Sequence, residues 1–175
     1  VKEKWTSEFL QQAASWRDEG DAQLGAVQYG NVPDELAGTV DVVLLIRAMH
    51  HLMRFESQGG HLTQALADIK KMLKPGGIVG VIAHRAPENS PDEWAIGNAG
   101  YVKQSAVIDA FTKAGFELVD QSEINANPLD QPTTADTVWR LPPRLATSRD
   151  DPELRAKMEA IGESDRMTLK FRKPT

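Results

Sequence analysis

The chain has 175 residues, 41% of them hydrophobic, which suits one domain over residues 1–175 with a real core. The formal net charge is −5 and the Lys and Arg residues are scattered, apart from Lys170, Arg172 and Lys173, which argues against nucleic acid as a partner. Zero cysteines exclude a disulfide framework and thiolate chemistry and fit a cytoplasmic protein; no run reaches the roughly 20 apolar residues of a membrane span, and no secretory pattern is present.

Residues 3–17 place Trp5, Phe9, Ala13 and Trp16 on one face of a helical period, a stripe suited to packing. Gly20-Asp21 breaks the pattern. Leu24 to Tyr29 is a short strand candidate closed by Gly30-Asn31, and a polar loop continues to Thr39. Asp41 to Ile46 is an apolar run rich in β-branched residues, followed by Arg47-Ala48-Met49-His50-His51; Ile78 to Ile82 is a second such run. Between them Leu62, Ala65, Leu66, Ile69, Met72 and Leu73 recur at helical spacing, and Pro75-Gly76-Gly77 stops the helix. Strand, helix and strand in this order predict a parallel crossover, and runs without alternation predict a sheet covered on both faces. Ligands of open parallel sheets lie beyond the carboxyl ends of the strands, here Arg47 to His51 and His84-Arg85.

Arg85 to Tyr101 is a long polar connection, suited equally to cover a substrate or to be an inert excursion. Gln104 to Ala114 resumes a helical period and stops at Gly115, and Phe116 to Ile124 reads as a strand. Asn125 to Ser148 contains four prolines and no sustained period, and is expected to be partly mobile. Asp151-Pro152 is an N-cap with proline at the first helical position, ahead of Leu154, Met158 and Ile161 and a stop at Gly162. Met167 to Arg172 alternates apolar and charged residues as an antiparallel edge strand does.

The segment Leu44-Leu-Ile-Arg-Ala-Met-His-His-Leu52, with Leu73-Lys-Pro-Gly-Gly-Ile-Val-Gly-Val-Ile82 further on, resembles the fourth and fifth strands of class I S-adenosylmethionine-dependent methyltransferases of the small-molecule type. The closing stretch Arg166 to Pro174, after the 125–148 insert, resembles a group of uncharacterised bacterial methyltransferases. The resemblance implies an α/β, Rossmann-like sheet with helices on both faces and strand order 3-2-1-4-5-7-6. It also implies S-adenosylmethionine as cofactor and a small-molecule acceptor. The Gly-rich loop after the family's first strand and the acidic residue ending its second have no counterpart here. The resemblance therefore implies a chain without those two strands and with impaired cofactor binding.

By the same resemblance Asn31, or Tyr29 in a slipped register, matches the residue that touches the adenine, and Arg47 and Ala48 flank the cofactor. His50 and His51 are the catalytic candidates, because imidazole titrates in the range needed to orient or deprotonate an acceptor; packing at a helix start is their other reading. His84 and Arg85 are the substrate-binding candidates, and surface ion pairing is the other reading for Arg47 and Arg85. No metal is expected, since no cysteine or carboxylate at ligand spacing accompanies the three histidines. Two functions stay open: methyl transfer to a small molecule, impaired in this chain, or a non-catalytic remnant of the fold acting as a binding or self-assembly module. Without its first-strand neighbour, Val42 to Ile46 would have an open edge, so a homodimer through residues 1–50 is expected.

Overall fold

Val40–Ile46 (β1) and Leu73–Ala86 (β2) pair in parallel in the computed structural model, which describes residues 2–175. From Val42 to Ile46 the register is continuous with Ile78 to Ile82, the two β-branched runs. The crossover carries Met49–Arg54 (α2), Glu56–Gly59 (α3) and His61–Met72 (α4), preceded near the amino terminus by Lys2–Ala13 (α1). The α4 stripe is buried at Leu62, Ala65, Leu66 and Ile69, as its spacing predicts. Gly60 at its N-cap is left-handed and offers no side chain, so the Glu56 carboxylate instead accepts from the Leu62 and Thr63 amides, at 2.6 and 3.2 Å.

Downstream lie Val102–Lys103 (β3), Gln104–Lys113 (α5), Glu117–Ser122 (β4), Pro152–Ile161 (α6) and Arg166–Arg172 (β5). Asp151 caps α6 by accepting from the Leu154 amide at 2.9 Å, with Pro152 at the first helical position. The main sheet runs β1-β2-β5-β4, the 4-5-7-6 part of the order the resemblance implies, with β5 antiparallel to both neighbours. This corrects the expectation of an edge strand at the carboxyl end: β5 is interior. Its alternation reflects one face turned to the core at Met167, Leu169 and Phe171, while β4, exposed throughout, is the edge.

The core fills the space between one face of the sheet and helices α2, α4 and α5, with Phe111 stacked on Phe171 at 4.1 Å. Over β1 the opposite face is bare. Val42, Leu44 and Ile46 are exposed there, Leu44 by 64%, and a groove of about 420 Å³ runs past Leu44, Ile46 and Ile78 toward Thr168 and Lys170. The other edge of β1 has no strand beside it among the described residues.

The amino-terminal region differs from expectation. Leu24 to Tyr29 is not a strand; the segment is irregular and finds no strand to pair with. It leads into a loop fastened to α4: the Gly30 amide donates to Asp68 Oδ2 at 2.5 Å, and Lys71 Nζ reaches the Val32 carbonyl and Asp34, both at 2.8 Å. Helix α1 continues as a 3₁₀ turn to Trp16. Phe9 stacks on Trp5 and meets Trp16 edge-on, but the aromatic stripe packs mainly on itself and leaves Trp5 and Trp16 largely exposed.

Candidate functional site

At the carboxyl end of β1 the Arg47 amide still donates to the Ile82 carbonyl at 2.7 Å, after which the chain turns sharply. Arg47 takes a left-handed conformation, φ 54°, which costs a non-glycine residue on the order of 1 kcal/mol and is found mostly where function demands it. The turn launches α2, whose Met49 is fully buried and whose two histidines therefore diverge. His50 points inward, 4% exposed, and His51 lies on the outside, their rings 3.9 Å apart. Ala48, expected beside a cofactor, is half-buried against the core.

His84, one strand over on β2, has its ring centre 5.6 Å from that of His50, so the structure brings these two together. Its Nδ1 is 2.6 Å from Ser164 Oγ, leaving Nε2 as the untethered ring nitrogen. Burial holds both imidazoles near pKa 4; next in effect come repulsion from His51 and then the Arg54 cation for His50, and mutual repulsion with His50 and then the Arg166 and Arg47 cations for His84. Both rings are thus neutral at physiological pH. His50 Nδ1 is buried and meets no hydrogen-bonding partner among the described residues.

The adjacent residue, Arg85, does not share this site. Successive strand residues face opposite sides of a sheet, and Arg85 faces away from His84, toward Gln104, Glu123 and Asp165. All five of its N–H groups are used: Nε and one amino group on Asp165, and the two amino groups on Glu123 and Gln104, at 2.7 to 3.1 Å. The bonds to Glu123 and then Asp165 push its pKa above the ordinary value. This corrects its assignment to substrate binding, because no donor is left. Asn31 is exposed on the loop fastened to α4.

The insert at residues 125–148, expected to be loose, is instead built into the site. Asp130 is buried and accepts from the Tyr101 hydroxyl at 2.9 Å, Arg140 at 2.7 Å and the Asp165 amide at 3.0 Å. The Val138 amide donates to the Ala99 carbonyl at 2.8 Å, and Val138 packs with Ala86, Ala95, Ala99 and Tyr101 in a second small core. Held this way, Trp139 stands edge-on to His50 with ring centres 6.1 Å apart. The connection after β2 is equally fixed: Gly97 has φ 102°, and a Cβ there would collide with the His50 carbonyl. It is a packed wall and not a free lid.

Between the strand ends and the insert lies a cavity of about 260 Å³, bordered by Arg47, His84, Trp139, Arg144, Glu163 and Arg166. Trp139, Arg144, Ser164 and Arg166 carry no signal in the sequence that would mark them as site residues. Among the described residues no cluster of histidine and carboxylate groups could hold a metal ion, and no helix is long and apolar enough to cross a membrane.

No family model and no curated protein sequence matches the chain. Solved structures do. The [4+2]-cyclase SpnF is similar with a TM-score of 0.58 at 17% identity, over 97% of this chain and 62% of its own length. The protein bound to the Trm112 methyltransferase activator of Haloferax volcanii gives 0.58 at 21%, over 96% and 69%. The Burkholderia thailandensis 1,6-didemethyltoxoflavin-N1-methyltransferase, solved with S-adenosylhomocysteine, gives 0.53 at 14%, over 96% and 57%. The chain thus spans well under the full length of each of these proteins. With the strand order β1-β2-β5-β4, it has a class I methyltransferase-like fold.

Proposed function

We propose that this chain is the acceptor-binding part of a small-molecule methyltransferase, placed in the cytoplasm in keeping with its cysteine-free composition. The observation that carries this reading is His84, a neutral imidazole lining a half-open cavity at the carboxyl ends of a parallel strand pair. With Nδ1 held by Ser164, Nε2 orients an acceptor O–H or N–H by hydrogen bonding. A pKa near 4 suits this orienting role better than full proton abstraction, for which a base near the working pH is superior. His50 supports His84 from behind, and the exposed His51 lies at the margin. Trp139 stands edge-on to His50 and Tyr101 edge-on to His84.

The residues present do not fit S-adenosylmethionine as a complete site. The cavity is smaller than the roughly 300–1,000 Å³ of most ligand pockets, and three guanidinium groups border it, which repels a sulfonium cation. Of the two cofactor candidates after β1, Arg47 lines this cavity and Ala48 packs against the core. Isothermal titration should therefore show no saturable heat with S-adenosylmethionine at concentrations up to about 100 μM. A micromolar dissociation constant would make the chain a self-sufficient cofactor binder and overturn this reading.

The open edge and bare apolar face of β1 favour a second reading, a non-catalytic module that assembles with a copy of itself. The two readings separate on ligand binding. An acceptor site binds small molecules in a manner weakened by His84→Gln, whereas a pure assembly module binds none there.

A further inference from the structure

Three arginines, Arg47, Arg144 and Arg166, line the cavity at the strand ends, with Glu163 the one carboxylate among its lining residues. Glu163 is taken by Arg166, whose Nη1 lies 2.7 Å from it. Arg166 Nε is buried and has no hydrogen-bonding partner among the described residues. Arg47 and Arg144 make no ion pair or side-chain hydrogen bond there either, in contrast with Arg85, Arg140, Arg155 and Arg172, all of which do. The cavity thus carries an excess of two positive charges beside a neutral histidine. A buried guanidinium N–H left unsatisfied is costly, and its usual justification is an unplaced partner. Arg47, which lines the cavity, is also held in a left-handed conformation.

The remaining walls are flat and apolar. Trp139, Pro142 and Pro143 border the cavity, and His84 completes one side. A volume of about 260 Å³ accommodates a molecule of one or two rings. We propose that this cavity binds a small aromatic carboxylate, its ring against Trp139 and the proline pair and its carboxylate on the forks of Arg47, Arg144 and Arg166. Paired parallel N–H groups match the planar carboxylate, and such charge-assisted bonds are about twice as strong as neutral ones. A ring substituent bearing O–H or N–H is then within reach of His84. This names the substrate class of the acceptor site, and so builds on that reading.

The test reads binding alone, by ligand-observed NMR and calorimetry on the full chain, with benzoate, benzamide and inorganic phosphate as probes. Benzoate should bind saturably, with benzamide at least about tenfold weaker and phosphate weaker than benzoate. Arg47→Gln and Arg144→Gln, both exposed positions, should each lower benzoate affinity about tenfold without moving the thermal midpoint, while Arg155→Gln on α6 leaves it unchanged. Equal binding of benzoate and benzamide, tighter binding of phosphate, or indifference to both cavity arginines would overturn the proposal. Because no methyl donor enters the measurement, failure of benzoate alone overturns this proposal, whereas failure of every small molecule to bind the cavity would retire the acceptor-site reading with it.

Discussion

His50 and His84 give the site a definite response to acid. In the folded chain burial holds both near pKa 4, whereas in the unfolded chain they return to the ordinary value of 6.5. Between pH 6.5 and 4 the unfolded state binds more protons, so stability rises with pH across that window. The contribution is fully present above pH 6.5 and is lost as pH falls toward 4, at up to about 3 kcal/mol per ring. Urea unfolding at pH 7 and pH 4.5 should show this loss, and His84→Gln, which keeps a partner for Ser164 but does not titrate, should recover about half of it. Identical acid sensitivity in the variant would mean that His84 is protonated normally in the native protein. The same scale explains why neighbours in sequence part ways: His84 lines the cavity, while Arg85, on the other side of the strand, spends every donor on Asp165, Glu123 and Gln104.

At the scale of elements, the 125–148 insert owes its place to one buried carboxylate. Asp130 joins the insert's own Arg140 to Tyr101 at the start of β3 and to the Asp165 amide before β5. Asp130→Asn takes the buried carboxylate from Arg140 and leaves it only the half-buried Asp136, 3.2 Å from its Nε, and removing one partner of a buried pair costs up to about 3–5 kcal/mol. The loss should be local. Hydrogen exchange should speed at the amides of Val138 and Ala146, which bond to Ala99 and Trp139, while the amides between β1 and β2 remain protected. Uniform loss of protection across the sheet, or no change anywhere, would contradict this view of Asp130 as the local anchor.

For the whole molecule the free edge and bare face of β1 are decisive. An unpaired edge beside exposed Val42, Leu44 and Ile46 is a template for another chain. Trp5 and Trp16 add exposed aromatic surface to the same half of the sequence, Trp16 at 68%. A two-fold dimer covers one such patch with its copy. Light scattering after size exclusion at low micromolar concentration should give about twice the 19.3 kDa chain mass. Leu44→Lys, at a position exposed in the single chain, should restore the monomer and keep a cooperative melt. A monomeric mass for the unaltered chain would show that this face is stable without a copy.

What the sequence determined by itself is the part of the fold encoded by near neighbours. The paired apolar runs of β1 and β2, the buried stripe of α4, the Asp151-Pro152 start of α6 and the alternation of β5 all rest on periods of two or 3.6 residues and on caps, which act within a few positions. The convergence of His50 and His84 followed from their places at parallel strand ends. Tertiary structure decided the rest. The stretch from Leu24 to Tyr29 has the residues of a short strand but no partner to pair with, so it runs irregularly into the loop held by α4. The walls of the cavity come from residues 47, 84, 139, 144 and 166, brought together across the sheet by the Asp130 network. No local period links positions that far apart; only their packing makes them a site.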